Sequence, residues 1–121
     1  MTGPTMWNTS WNTTTVKTSN ATSGSLAQWN DLVLTVSGGV VNYYINGVLA
    51  ASHTGIYYPR RAMYIDFNLW FINSKNPAST YVEDVDWVYF AKNTVLTTAE
   101  VNTEVNNYRA SAITHTDNVA P

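Results

Sequence analysis

The stretch YVEDVDWVYF, residues 81–90, sets three carboxylates, Glu83, Asp84 and Asp86, within four positions and surrounds them with aromatic and β-branched side chains. Paired carboxyl groups are the tools of glycoside hydrolysis. In retaining enzymes they stand about 5–5.5 Å apart, one attacking the sugar and the other serving as acid and base. Positions two apart on a β-strand share a face, with Cα atoms about 6.6–6.8 Å apart. Asp84 and Asp86 therefore address one surface while Glu83 addresses the other. Asp66, in a separate aromatic stretch, joins Glu83 and Asp84 as a weak catalytic candidate. The plainer use of such a strand is to keep an outer sheet face solvated. A third use makes Asp86 one ligand of a structural calcium ion, which needs more oxygen ligands than this strand supplies.

Other residues point to binding without chemistry. In MYIDFNLWFI, residues 63–72, the two-residue period puts Met63, Ile65, Phe67, Leu69 and Phe71 on one face and Tyr64, Asp66, Asn68 and Trp70 on the other. Aromatic rings stack on the C–H face of a pyranose, and amides and carboxylates hydrogen-bond its hydroxyls, so the second face suits a saccharide. The alternative packs Tyr64 and Trp70 under a loop and pairs Asp66 with Arg60 or Arg61. Arg60 and Arg61 are suited either to gripping an acidic or sulfated polysaccharide in bidentate fashion or to anchoring a loop. Trp7 and Trp11, four apart among Thr, Ser and Asn, share a face if their segment is a strand. They form a stacking platform or enter the core. His53 and His115 are isolated and read as surface residues, without a metal site.

The elements that must position these groups are mostly strands. WNDLVLTV (29–36) and GVVNYYI (39–45) flank Ser37-Gly38-Gly39, and Asn46-Gly47 leads into VLAASH (48–53). Asn-Gly suits a type I′ hairpin turn because both central residues need positive φ. A three-strand meander follows, with further strands expected at 63–72 and 81–90. The period then changes. Thr97-Thr98-Ala99-Glu100 reads as a capping box, and Val101, Val105 and Tyr108 recur at helical spacing. One helix is expected at 98–109, within a carboxy-terminal unit of 97–110. The fold class is all-β, an antiparallel β-sandwich or jelly roll with one short carboxy-terminal helix.

The totals limit the partners. The 121 residues make a single domain, 1–121, whose first 28 form a Thr/Asn-rich segment. Charged residues make up 12% and the formal net charge is −2, so neither a nucleic-acid footprint nor a polybasic membrane patch is present. Without cysteine, disulfides, thiolate metal sites and thiol nucleophiles are excluded. The expected partner is a polysaccharide or oligosaccharide, with no cofactor required beyond the calcium named above. The Thr/Ser/Asn skew suits a secreted, extracellular protein whose signal peptide is not in this chain. Asn8, Asn12 and Asn20 each begin an N-x-Ser/Thr triplet.

Taken in order, WNDLVLTVSGGVVNYYINGVLAAS, PRRAMYIDFNLWF and YVEDVDWVYF resemble the carboxy-terminal half of glycoside hydrolase family sixteen proteins, the laminarinase, lichenase and agarase group. The matching stretches are YYING (43–47), RAMYIDFNLW (61–70) and DVDWVYF (84–90), and the likeness covers residues 28–92. It implies a concanavalin A-like sandwich whose concave face holds glycan through Tyr64, Asp66, Asn68 and Trp70. It also implies that 81–90 is a structural final strand. The family's catalytic Glu-x-Asp-x-(x)-Glu strand lies upstream of these elements, where residues 1–28 contain no Asp or Glu. The expectation is therefore a carbohydrate-binding module without the retaining machinery. The alternatives are a hydrolase using a non-standard carboxylate pair and a self-associating structural module. Half a sandwich leaves apolar surface open, so a homodimer, a missing half-domain or a smaller sandwich using the amino-terminal segment is expected to cover it.

Overall fold

The computed structural model describes residues 5–24, 27–68, 80 and 82–120. Among these the chain forms strands in two antiparallel sheets, with one α-helix. The amino-terminal segment is a hairpin of β1 (Thr5–Trp11) and β2 (Lys17–Ser23), in register Trp7↔Ala21, Asn8↔Asn20 and Trp11↔Lys17. β-Branched threonines suit a pleated surface, and Thr9 and Ser19 join across it through their hydroxyls at 2.9 Å. The five-residue connection is closed by its own polar groups. The Val16 carbonyl accepts from the Asn12 and Thr13 amides, and Thr13 Oγ1 accepts from the Val16 amide at 3.0 Å. The Thr/Asn-rich segment thus forms two strands, as one of the expected alternatives has it.

The second sheet is the expected meander of β3 (Leu32–Ser37), β4 (Val40–Ile45) and β5 (Val48–Thr54). Both turns adopt the backbone their residues favour. Gly38 and Gly39 lie at φ 57° and 80°, and Asn46 and Gly47 at 51° and 81°. Asn46 also ties down the approach to β3. Its Oδ1 accepts from the Asp31 amide and its own amide donates to the Asp31 carbonyl, both at 2.9 Å. An irregularity at Tyr43/Tyr44 shifts the register of β4 on β5.

The inner face of the hairpin lies against β5. This decides which apolar residues are covered. Val41, Ala51 and His53 share one meander face and are buried. On that same face the edge strand β3 presents Leu32, Leu34 and Val36, which stay exposed, because the two-stranded hairpin is too narrow to reach them.

Helix α1 (Thr98–Ala110) begins at the expected capping box. Thr97 Oγ1 accepts from the Glu100 amide at 3.2 Å and Glu100 Oε2 accepts from the Thr97 amide at 2.7 Å. These hydrogen bonds hold the Glu100 carboxyl below its usual range. Of the expected stripe, Val105 is buried. Tyr108 stacks on Trp87 with ring centroids 6.1 Å apart, and Asn102 reaches Asp31 Oδ2 at 2.9 Å.

Two expected strands are corrected. Residues 63–68 and 82–90 carry no strand, and Met63, Ile65, Phe67, Val82, Val88 and Phe90 are exposed. Alternation specifies which face of a strand is apolar but not which strand it pairs with. A strand also exists only through its ladder, and the edges available here leave both segments without one. The rest of those expected strands, 69–72 and 81, with Trp70 among them, lies outside the described residues.

Candidate functional site

β1 sorts its side chains by parity. Asn8 and Ser10 point inward and are buried, while Trp7 and Trp11 point outward and are 64% and 54% exposed. Their Cα atoms stand about 13 Å apart at strand spacing. Neither ring enters the core. Between the tryptophans lies the Thr9–Ser19 hydroxyl pair. Lys17, directly across from Trp11, places Nζ 4.8 Å from its ring centroid. A cation over an exposed indole contributes about 0.5–1 kcal/mol and fixes the ring's orientation. Arg60 Nη2 donates to Asn12 Oδ1, next along the chain from Trp11. An open depression lined by Trp11, Asn12, Thr13 and Thr14 continues the surface beyond Trp11. Trp7 and Trp11 thus share one face, and Arg60 reaches the connection that follows Trp11.

Beneath the platform runs a chain of hydrogen bonds. Ser10 Oγ lies 2.7 Å from both Tyr43 Oη and His53 Nδ1, and His53 Nε2 lies 2.9 Å from Asn20 Oδ1. The proton positions follow by elimination. An amide oxygen only accepts, so Nε2 carries the imidazole proton. In the neutral ring Nδ1 then accepts from Ser10, and Ser10 accepts from Tyr43. The Tyr43 hydroxyl proton has a second acceptor in the Thr9 carbonyl at 3.2 Å. Burial pushes the His53 pKa below its ordinary value of 6.5, in keeping with a neutral ring. Tyr43 and His53 also pack ring to ring, 5.1 Å between centroids. A serine hydroxyl on an imidazole invites comparison with a nucleophile and its base. Here Ser10 is only 7% and His53 only 4% exposed, so no substrate carbonyl has access to them. The network joins the hairpin to the meander and holds β1 in the orientation that presents the tryptophans.

Sequence reasoning missed this network and read His53 as a surface residue; the structure corrects that. The signal for Ser10 was present in the parity of Trp7 and Trp11, which puts Asn8 and Ser10 on the opposite face. No local signal marks His53, since its partners are 43 and 33 positions away. Asn8 Nδ2 is sealed from solvent with no hydrogen-bond partner among the described residues.

The remaining candidates lie elsewhere. Tyr64 is 98% exposed, Asp66 accepts from Asn68 Nδ2 at 3.0 Å, and neither arginine pairs with Asp66. Glu83 and Asp84 are exposed on the 82–90 segment, and no hydrogen bond joins either to Asp66. Asp86 accepts from Arg109 of α1 in an exposed ion pair. Among the described residues no group of three or more His, Cys, Asp and Glu gathers as a metal site, and no helix is long and apolar enough to cross a membrane. Tyr89, near Asp86 in sequence, has its hydroxyl pKa pushed up by burial and then by the charge of Glu104 and by Tyr108.

No protein-family model, no curated protein and no solved structure matches the chain.

Proposed function

We propose that the chain is a carbohydrate-binding module of an extracellular protein, and that the outer face of the β1–β2 hairpin is its glycan platform. The observation that carries this reading is the exposure of Trp7 and Trp11 on one face of β1, with Lys17 over the Trp11 ring and the Ser10–His53 network behind the strand. Exposed aromatic faces present apolar C–H-binding surface that a pyranose can cover. Rings pre-set by their neighbours lose little entropy on binding. The hydroxyls of Thr9 and Ser19 between the rings offer donors and acceptors to sugar hydroxyls. The resemblance to family sixteen glucanases supports the ligand class and a sandwich-like arrangement of the two sheets. It also motivates Tyr64, Asp66, Asn68 and Trp70 as an accessory surface. Depletion of the protein from solution by insoluble β-glucan or agarose, without release of reducing ends, tests it. Sugar release abolished by Asp66→Asn would replace this reading with hydrolysis.

A second reading, self-association, is favoured by Leu32, Leu34 and Val36 exposed along the free edge of β3. A dimer interface takes about 800 Å² per partner, and this apolar row is where a second copy would seat. Sedimentation of a homodimer that Leu34→Lys converts to monomer supports this reading, and a monomer at high protein concentration rejects it.

A further inference from the structure

We infer that the glycan taken by the Trp7/Trp11 platform is anionic, bearing carboxylate or sulfate groups, and that Lys17 and Arg60 receive those groups at the Trp11 end. This rests on the platform reading above and names its substrate class. The chain as a whole is acidic, with eight Asp and Glu against six Lys and Arg. Its amino-terminal hairpin has the opposite balance. Residues 1–30 contain Lys17 and no carboxylate, and Arg60 reaches that hairpin from the segment after β5. All eight carboxylate side chains lie among the described residues, and the one ion pair found there is Arg109–Asp86, with α1. Lys17 is spent on the Trp11 ring alone, and Arg60 on the neutral Asn12 amide.

Two exposed cations within one residue of an exposed indole, neither meeting a carboxylate, are arranged for an anion supplied from outside. A guanidinium has five N–H donors in a rigid fork. The bond to Asn12 uses one and fixes the fork, leaving the others for a planar carboxylate or a sulfate. Lys17 Nζ covers one face of the Trp11 ring, so a sugar stacks on the indole only by taking the other face or by drawing the ammonium off onto its own anionic group. A uronate or sulfated residue on the indole thus brings its charge to the ammonium. A neutral glycan would use the rings and leave both charges idle.

The test is affinity electrophoresis of the full chain in gels carrying a polyuronate, a sulfated galactan or an uncharged galactan or β-glucan. The expected result is stronger retardation by one or both charged polymers than by the uncharged ones. The retardation should weaken several-fold between about 0.05 and 0.5 M NaCl, as a screened ionic contact does. Which charged polymer acts separates carboxylate from sulfate. Arg60→Gln should weaken the charged arm about fivefold while leaving any uncharged arm unchanged, and Lys17→Met, which keeps an alkyl chain on the indole but frees the ring, should weaken the charged arm about fivefold and the uncharged arm less. Circular dichroism confirms that the Arg60 variant remains folded, and Lys17→Met stands as the check independent of Asn12. Equal, salt-insensitive retardation by charged and uncharged polymers, lost in Trp11→Ala but not in Lys17→Met, overturns the anionic class and leaves the platform standing. Absence of retardation by any polymer overturns both.

Discussion

Strand β1 and the segment 63–68 have the same alternation of aromatic and polar residues, yet they end in different states. In β1 the inward residues Asn8 and Ser10 are buried, and the outward tryptophans stand on a paired strand. In 63–68 there is no ladder, both faces are exposed, and Tyr64 is almost wholly in solvent. The difference does not come from β-propensity, since Tyr64, Ile65 and Phe67 favour strands more strongly than Asn8 and Ser10 do. It comes from partners. β1 is closed on β2 by a short connection and anchored by Ser10 to Tyr43 and His53. Ordered aromatics cost little entropy on meeting a ligand, whereas an unpaired segment must first be ordered.

That contrast can be broken at its anchor. Replacing His53 with alanine leaves Ser10 and Asn20 without their buried partner and opens a void, and is expected to cost about 2–3 kcal/mol. Urea denaturation measures the loss, and a change below 0.5 kcal/mol would show that the network anchors nothing. The same residue sets a pH dependence. Because burial lowers the His53 pKa below 6.5, the unfolded chain binds a proton more readily than the folded one. Its contribution to stability is complete above pH 6.5 and declines as the pH falls from there toward the lowered folded value. Denaturation midpoints between pH 7.5 and 5 should show the decline in the native chain and a shallower one in His53→Leu.

The platform itself is tested by Trp7→Ala and Trp11→Ala. Each is expected to weaken glycan binding about tenfold, or 1.4 kcal/mol, while shifting stability by no more than about 0.5 kcal/mol, as exposed side chains do. Asn8→Leu sharpens the comparison from within. It removes a buried donor that has no partner and should leave stability unchanged or raise it by about 1 kcal/mol, read from the urea midpoint. The smallest effect belongs to the unpaired segment. Tyr64→Ala should alter stability by less than about 0.5 kcal/mol and weaken binding less than either tryptophan variant.

Wherever the fold depended on local chemistry, it was legible in the residues. Asn46-Gly47 and Gly38-Gly39 demanded positive φ and formed the meander's two turns, and the Thr97/Glu100 pair opened α1. The shared face of Trp7 and Trp11 followed from parity alone. What was not legible depends on distance along the chain. The burial of His53 requires Ser10 and Asn20, which no local pattern links to it. Likewise the alternation of 63–72 and 81–90 gave a face without naming a partner. Arg60 took Asn12 in place of Asp66 because the fold brings the β1–β2 connection to it.

The most direct measurement is the binding isotherm of the Trp7→Ala/Trp11→Ala double variant beside the native chain, on the polysaccharide that the native chain retains, with circular dichroism of both. The account predicts identical spectra and binding reduced at least about a hundredfold if the two losses add. Undiminished binding by the folded double variant would contradict it and move the glycan surface away from the hairpin.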